Sequence, residues 1–279
     1  MSILLRVAYD GTDFHGFVRQ LDPRGGGPLR TVQGELERVL AMLHRAPVQT
    51  RGASRTDAGV HARGQLVAFE RTLPIPCEGL RKAMTTALPP DIAVLAVWEE
   101  ERPDGAPVDL RHDNDGKRYR YRIRCSVDRD PIDARFEWHL GKPLDAAAMQ
   151  DAARRLLGTH DFASFRASAC QAKTTVRTIQ SIEIVELSVP FGPVDPARPP
   201  RPAVDVVELR VDGLAFLHHM VRIIAGTLVE VGLGRRAPAS MDALLAVADR
   251  RAAGRTAPAC GLTLDEVVWR GPAADVESR

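Results

Sequence analysis

The sequence predicts an α+β fold in which helices pack on a mixed, largely antiparallel sheet. Three observations carry that prediction. Short runs at 2–9, 64–70, 92–98, 118–125, 180–187 and 203–211 alternate or are apolar throughout, as strands do. Four other stretches space their apolar residues at helical intervals. A composition of 44% hydrophobic and 27% charged residues provides for a buried core under a water-facing surface, which excludes disordered and membrane-embedded classes.

In chain order, SILLRVAY opens as the first strand, and LDPRGGGPLR at 21–30 reads as a surface loop. Thr31 then caps a helix whose Val32, Leu36, Val39, Leu40 and Leu43 share one face. A polar segment from Arg51 to Phe69 leads into the second strand, and 92–98 forms the third. Turn formers and acids crowd Pro103 to Lys117, which places the division between two halves there, at 1–110 and 111–270. After the strand at 118–125, Asp145 caps a helix to Leu157 and Gly158 stops it. Two strands follow, joined through VPFGPVDPARPPRPA at 189–203, whose prolines predict a stiff, extended loop. Met220, Ile224, Leu228 and Val231 mark a buried third helix, and Leu244, Leu245 and Val247 a fourth after Ser240. The residues 271–279 read as a loose tail.

The first residues contain no long apolar stretch behind a basic flank, so neither signal peptide nor membrane helix is expected and the cytoplasm is the default location. Cys77, Cys125, Cys170 and Cys260 stand far apart with no CxxC pair, which fits reduced thiols and predicts no metal. Lys plus Arg exceed Asp plus Glu by only two, 38 against 36, so net charge does not diagnose a polyanionic partner. Local pattern must do so, because salt screens charge over about 8 Å.

Three segments carry chemistry. In RGASRTDAGVHARGQLVAF, Arg55 and Asp57 are two apart and share a side of an extended backbone. An isolated pair of this kind is commonly a surface ion pair contributing about 0–1 kcal/mol. In a dry pocket, the guanidinium would instead keep a catalytic carboxylate charged. Gly59 and Gly64 permit tight turns and close approach. In KRYRYRIRC, a strand places Tyr119, Tyr121 and Ile123 on one face and Arg118, Arg120, Arg122 and Arg124 on the other. That face suits either a solvated edge or RNA phosphates beside stacking aromatics. In AFLHHMVRIIAG, Arg222 sits within an apolar helix and demands a partner, since a buried unpaired charge costs several kcal/mol.

The run RTDAGVHARGQ resembles the signature loop of the TruA family of tRNA pseudouridine synthases. Similar segments follow the family's order: AYDGTDFHGFVRQ, KRYRY, LLGTHDFASFR, AFLHHMVR and PACGLTLDEVVW. The resemblance implies the pseudouridine synthase fold, two similar halves around a central RNA-binding cleft. It implies Asp57 as the catalytic nucleophile or base, Arg55 and Arg222 as its supporting ion pairs, and Tyr119 and Leu262 as substrate contacts. It further implies isomerisation of uridine in the anticodon stem-loop at tRNA positions 38–40, by a homodimer that needs no cofactor. Phe17-Val18 replaces the family's usual Trp-Gln, Ser54 its glycine, and LRHDNDG is more acidic than its counterpart. These departures bear on which RNA is modified. The alternatives are a paralogous synthase for another RNA and a non-catalytic RNA-binding protein of the same fold. A hydrolytic glycosidase would need a second carboxylate beside the RTD loop.

Overall fold

A computed structural model describes residues 1–189 and 204–271. Apart from Val189 and Gly271, the expected proline-rich loop at 189–203 and the tail at 271–279 lie outside the described residues. The chain divides into two units, the first made of Met1–Lys117 plus the chain from Leu264 onward, the second of Arg118–Thr263. The expected halves, 1–110 and 111–270, differ in that the late strand returns to the first unit. Each unit is α+β, as expected.

In the first unit, β1 (Ser2–Tyr9) lies between β3 (His61–Glu70) and β4 (Ile92–Glu100), antiparallel to both. Leu5 therefore faces Val67 on one side and Val97 on the other. This central position explains why SILLRVAY is nearly continuously apolar: every side chain but Ala8 is buried. The short β2 (Arg51–Gly52) pairs with β3, and β10 (Leu262–Trp269) lies beside it. Gly64 accommodates that neighbour, because a Cβ there would stand 2.6 Å from the Asp265 carbonyl. Its close approach is thus to backbone of its own unit. Helix α1 (Val32–His44) begins as its sequence predicts, with Thr31 Oγ1 accepting from the Gly34 amide at 3.2 Å and Val32, Leu36, Val39 and Leu40 buried. Helix α2 (Cys77–Ala87) was not expected: Gly79 and two threonines dilute its pattern, and only Leu80 and Met84 are buried.

The second unit orders its strands β5 (Asn114–Arg124), β9 (Val206–Gly213), β8 (Val176–Leu187) and β7 (Gly158–Asp161). The β8–β9 and β7–β8 pairs are antiparallel, while β6 (Trp138–His139) joins β5 in parallel, so the sheet is mixed. Helix α3 (Ala146–Arg154), capped by Asp145, lies against β8 and α4 (Met220–Gly232). It stops at Arg154, short of the expected Leu157, and Gly158 at φ 95° starts β7. Helix α5 (Ser240–Val247) follows. No helix among the described residues is long and apolar enough to cross a membrane, and all four cysteines are free thiols.

Candidate active site

Asp57 sits between β2 and β3 on a loop fastened at almost every residue. Upstream, the Ala53 amide donates to Leu66, and the buried Gln65 side chain imitates a neighbouring strand, accepting from the Ser54 amide at 3.1 Å and donating to its carbonyl at 2.7 Å. Thr56 is held from two sides: its carbonyl accepts from the Phe17 amide and its hydroxyl meets the Tyr9 hydroxyl at 2.7 Å. Downstream, the Val60 amide closes a turn onto the Asp57 carbonyl, with Gly59 at φ 77° in the place where a left-handed residue is required. His61 Nδ1 accepts from the Gly11 amide and lies 3.2 Å from Asp10, tying the far end to the YDG segment. The half-buried Asp57 thus projects from a backbone with little freedom, the preorganisation that a nucleophile or base needs.

Arg55 does not pair with Asp57. It is exposed and has no ion pair or side-chain hydrogen bond among the described residues. The expectation assumed an extended strand, but residues 53–60 are loop, and Thr56 between the two is held by the Phe17 amide and the Tyr9 hydroxyl and not by a strand ladder. Arg55 instead lines a pocket of 610 Å³ within the first unit, together with Phe17, Val18, Arg51, Arg111 and His112.

The second unit carries the other expected residues. Tyr119 is buried on β5, edge-on to Phe216 with centroids 5.1 Å apart. Arg222 on α4 is half-buried, and its Nε donates to the Ala257 carbonyl at 2.9 Å, while the Ala257 amide donates back to the Arg222 carbonyl. The same stretch receives the Tyr121 hydroxyl at Pro258 and leads to the buried Leu262. His219, at φ 62°, starts α4 in a conformation that costs a non-glycine residue about 1 kcal/mol.

The arginines of β5 divide three ways. Arg124 is fully buried, its guanidinium bonded to Glu137 and within 3.7 and 3.9 Å of Asp130 and Asp133. It is a structural ion cluster and not an RNA contact, correcting the expectation for that residue. Arg120 and Arg122 both reach the buried Glu208 of β9 at 3.9 Å. Arg118 meets Asp212 at 3.4 Å, more than half exposed. Carboxylates of the neighbouring strand therefore supply the compensation that this stripe requires.

Tyr9, Thr56, Gln65 and His61 had no separate signal in the sequence, since their roles depend on where residues 9–17 pass the loop. Tyr9 and His61 lie within segments already notable for their order.

Comparison with known proteins identifies the family. A family model described as tRNA pseudouridine synthase matches residues 152–269. A Myxococcus xanthus protein named tRNA pseudouridine synthase A is 41% identical over 97% of this chain and 93% of its own. Relatives of the same name from Brevibacillus brevis, 41% identical over 94% and 97%, and Halalkalibacterium halodurans, 40% identical over 92% and 89%, agree. With identity of this level running from the first strand to the last, the chain belongs to the tRNA pseudouridine synthase A family.

Proposed function

We propose that this protein isomerises uridine to pseudouridine in tRNA, at positions 38–40 of the anticodon stem-loop, as a cytoplasmic homodimer. The observation that carries the proposal is Asp57, presented on a fastened turn in a chain about 40% identical to tRNA pseudouridine synthases A almost throughout. In the reaction the C1′–N1 bond breaks, the uracil turns, and C5 bonds to C1′. The C5 proton is released to water and N1 gains one, so the isomerisation needs no external oxidant or reductant. Asp57 acts either as a nucleophile or as the base that takes a sugar proton. Extracting the base from its stack costs a few kcal/mol, which phosphate and stacking contacts offset. Tyr119 and Leu262 supply the apolar contacts to the base, and Arg222 supports the carboxylate.

Tritium release from C5-labelled uridine in tRNA tests this. Wild type is expected to release tritium and Asp57→Ala to release none, with the modified nucleotides mapping to 38–40. Equal release from both would remove Asp57 as catalyst. Binding without release in either form would point to a non-catalytic RNA-binding protein, and release mapped to another RNA would point to a paralogous specificity.

A further inference from the structure

The charges around the pocket of the first unit do not balance. The carboxylate in its lining, Asp109, is already engaged, and so are Asp113 and Asp115, which follow the lining segment in sequence. Asp109 accepts the Arg111 amide and holds His112 Nδ1 at 2.7 Å, which keeps its carboxyl below the usual range. Asp113 pairs with Arg102 at 2.9 Å, and Asp115 with Arg270 at 2.7 Å. On the basic side, Arg51 reaches Glu70 at 2.6 Å. Among the described residues, the Arg55 and Arg111 side chains have no ion pair or hydrogen bond, and Lys117 has no ion pair. Lys117 is only 7% exposed and feels the charge of Arg111. A buried ammonium beside a guanidinium is costly unless an anion joins them.

We propose that this pocket is a phosphodiester-binding site, in which Arg55, Arg111 and His112 hold the backbone of the RNA substrate and Lys117 adds its charge to that of Arg111. The proposal rests on the RNA-modifying function above and deepens it. Phosphate suits the walls better than a base. Phe17 and Leu110 line the pocket but are 1% and 2% exposed, so they offer no face for stacking. What faces outward includes the guanidiniums of Arg51, Arg55 and Arg111 and the imidazole of His112, groups matched to phosphate oxygens, beside the exposed Asp109 carboxylate that His112 already engages. A volume of 610 Å³ admits a sugar-phosphate step and not merely a lone anion. Arg55 is two residues from Asp57, so a phosphate held there belongs to RNA already at the catalytic loop.

The test uses the full chain carrying Asp57→Ala, which binds without turnover, alone and combined with Arg111→Ala or Arg111→Lys. The dissociation constant for tRNA is measured against salt concentration. Arg111→Ala is expected to weaken binding roughly tenfold at low salt and to flatten the slope of log K against log salt by roughly 0.7–1, one phosphate contact. Arg111→Lys should restore the slope. An unchanged slope and affinity for Arg111→Ala would overturn the proposal, as would a lysine variant no better than alanine. Arg111 is exposed, so matching thermal melts separate binding from folding. Tritium release by unsubstituted protein is scored separately. Release with an unchanged slope sinks the pocket alone, whereas no release from any tRNA sinks the function on which it rests.

Discussion

Lys117 carries an electrostatic cost that the fold imposes on a single residue. Burial first, and repulsion from Arg111 second, push its ammonium down to about 8. Because the folded value lies below the unfolded one, the charged form is disfavoured on folding. The penalty is complete below pH 8, on the order of 3 kcal/mol, and fades as pH rises from 8 toward 10.5. Lys117→Met should therefore be more stable than wild type at pH 7, and the gap should narrow by pH 10, as measured by urea unfolding at both values. A constant gap would show that the charge is not its source. The same residue shows what the sequence conceals. KRYRYRIRC reads as a basic strand, yet Lys117 and Arg124 are buried, Arg120 and Arg122 share Glu208, and Arg118 is more than half exposed. Burial and partners come from residues distant in sequence, so five similar cations acquire different environments that no local pattern distinguishes.

At the scale of elements, the legible parts are those with local causes. Thr31 and Asp145 announce their helices because cap and amide lie three residues apart. Asp57 was legible through the length of its segment, whereas the pairing with Arg55 failed because the loop between them is shaped by Tyr9 and Phe17, partners distant in sequence. Strands β7 and β10 escaped notice because what makes them strands is a partner elsewhere in the chain. Helix α4 has a comparable hidden dependence. A Cβ on Gly226 would collide with the Arg255 carbonyl, and the Gly254 amide donates to Thr227 Oγ1 at 3.0 Å. The helix and the 254–257 stretch thus meet backbone to backbone, which is how Ala257 comes within reach of Arg222. Gly226→Ala should lower stability by about 3 kcal/mol through overpacking. It should also impair tritium release more than binding of tRNA, because it displaces the stretch that holds Arg222. Full activity with an unshifted melting temperature would contradict this close approach.

At the scale of the whole molecule, the first unit is made from two separated pieces of chain. Strand β10 lies beside β3, which begins at the end of the Asp57 loop, and its Asp265 carbonyl crosses Gly64. A chain truncated after Thr263 exposes that edge of β3 and is expected to melt earlier and aggregate more readily than one ending after Gly271, as seen by calorimetry and light scattering. Equal melting would show that β10 contributes little to the first unit. The return of this strand also has a consequence in time. During synthesis the first 117 residues emerge long before their missing strand, and the ribosome adds about 5–20 residues each second. The loop bearing Asp57 therefore waits about 10–40 s for residues 264–269 to leave the exit tunnel before its supporting sheet is complete. The sheet that carries this loop is thus the last part of the first unit to be completed as the chain is made.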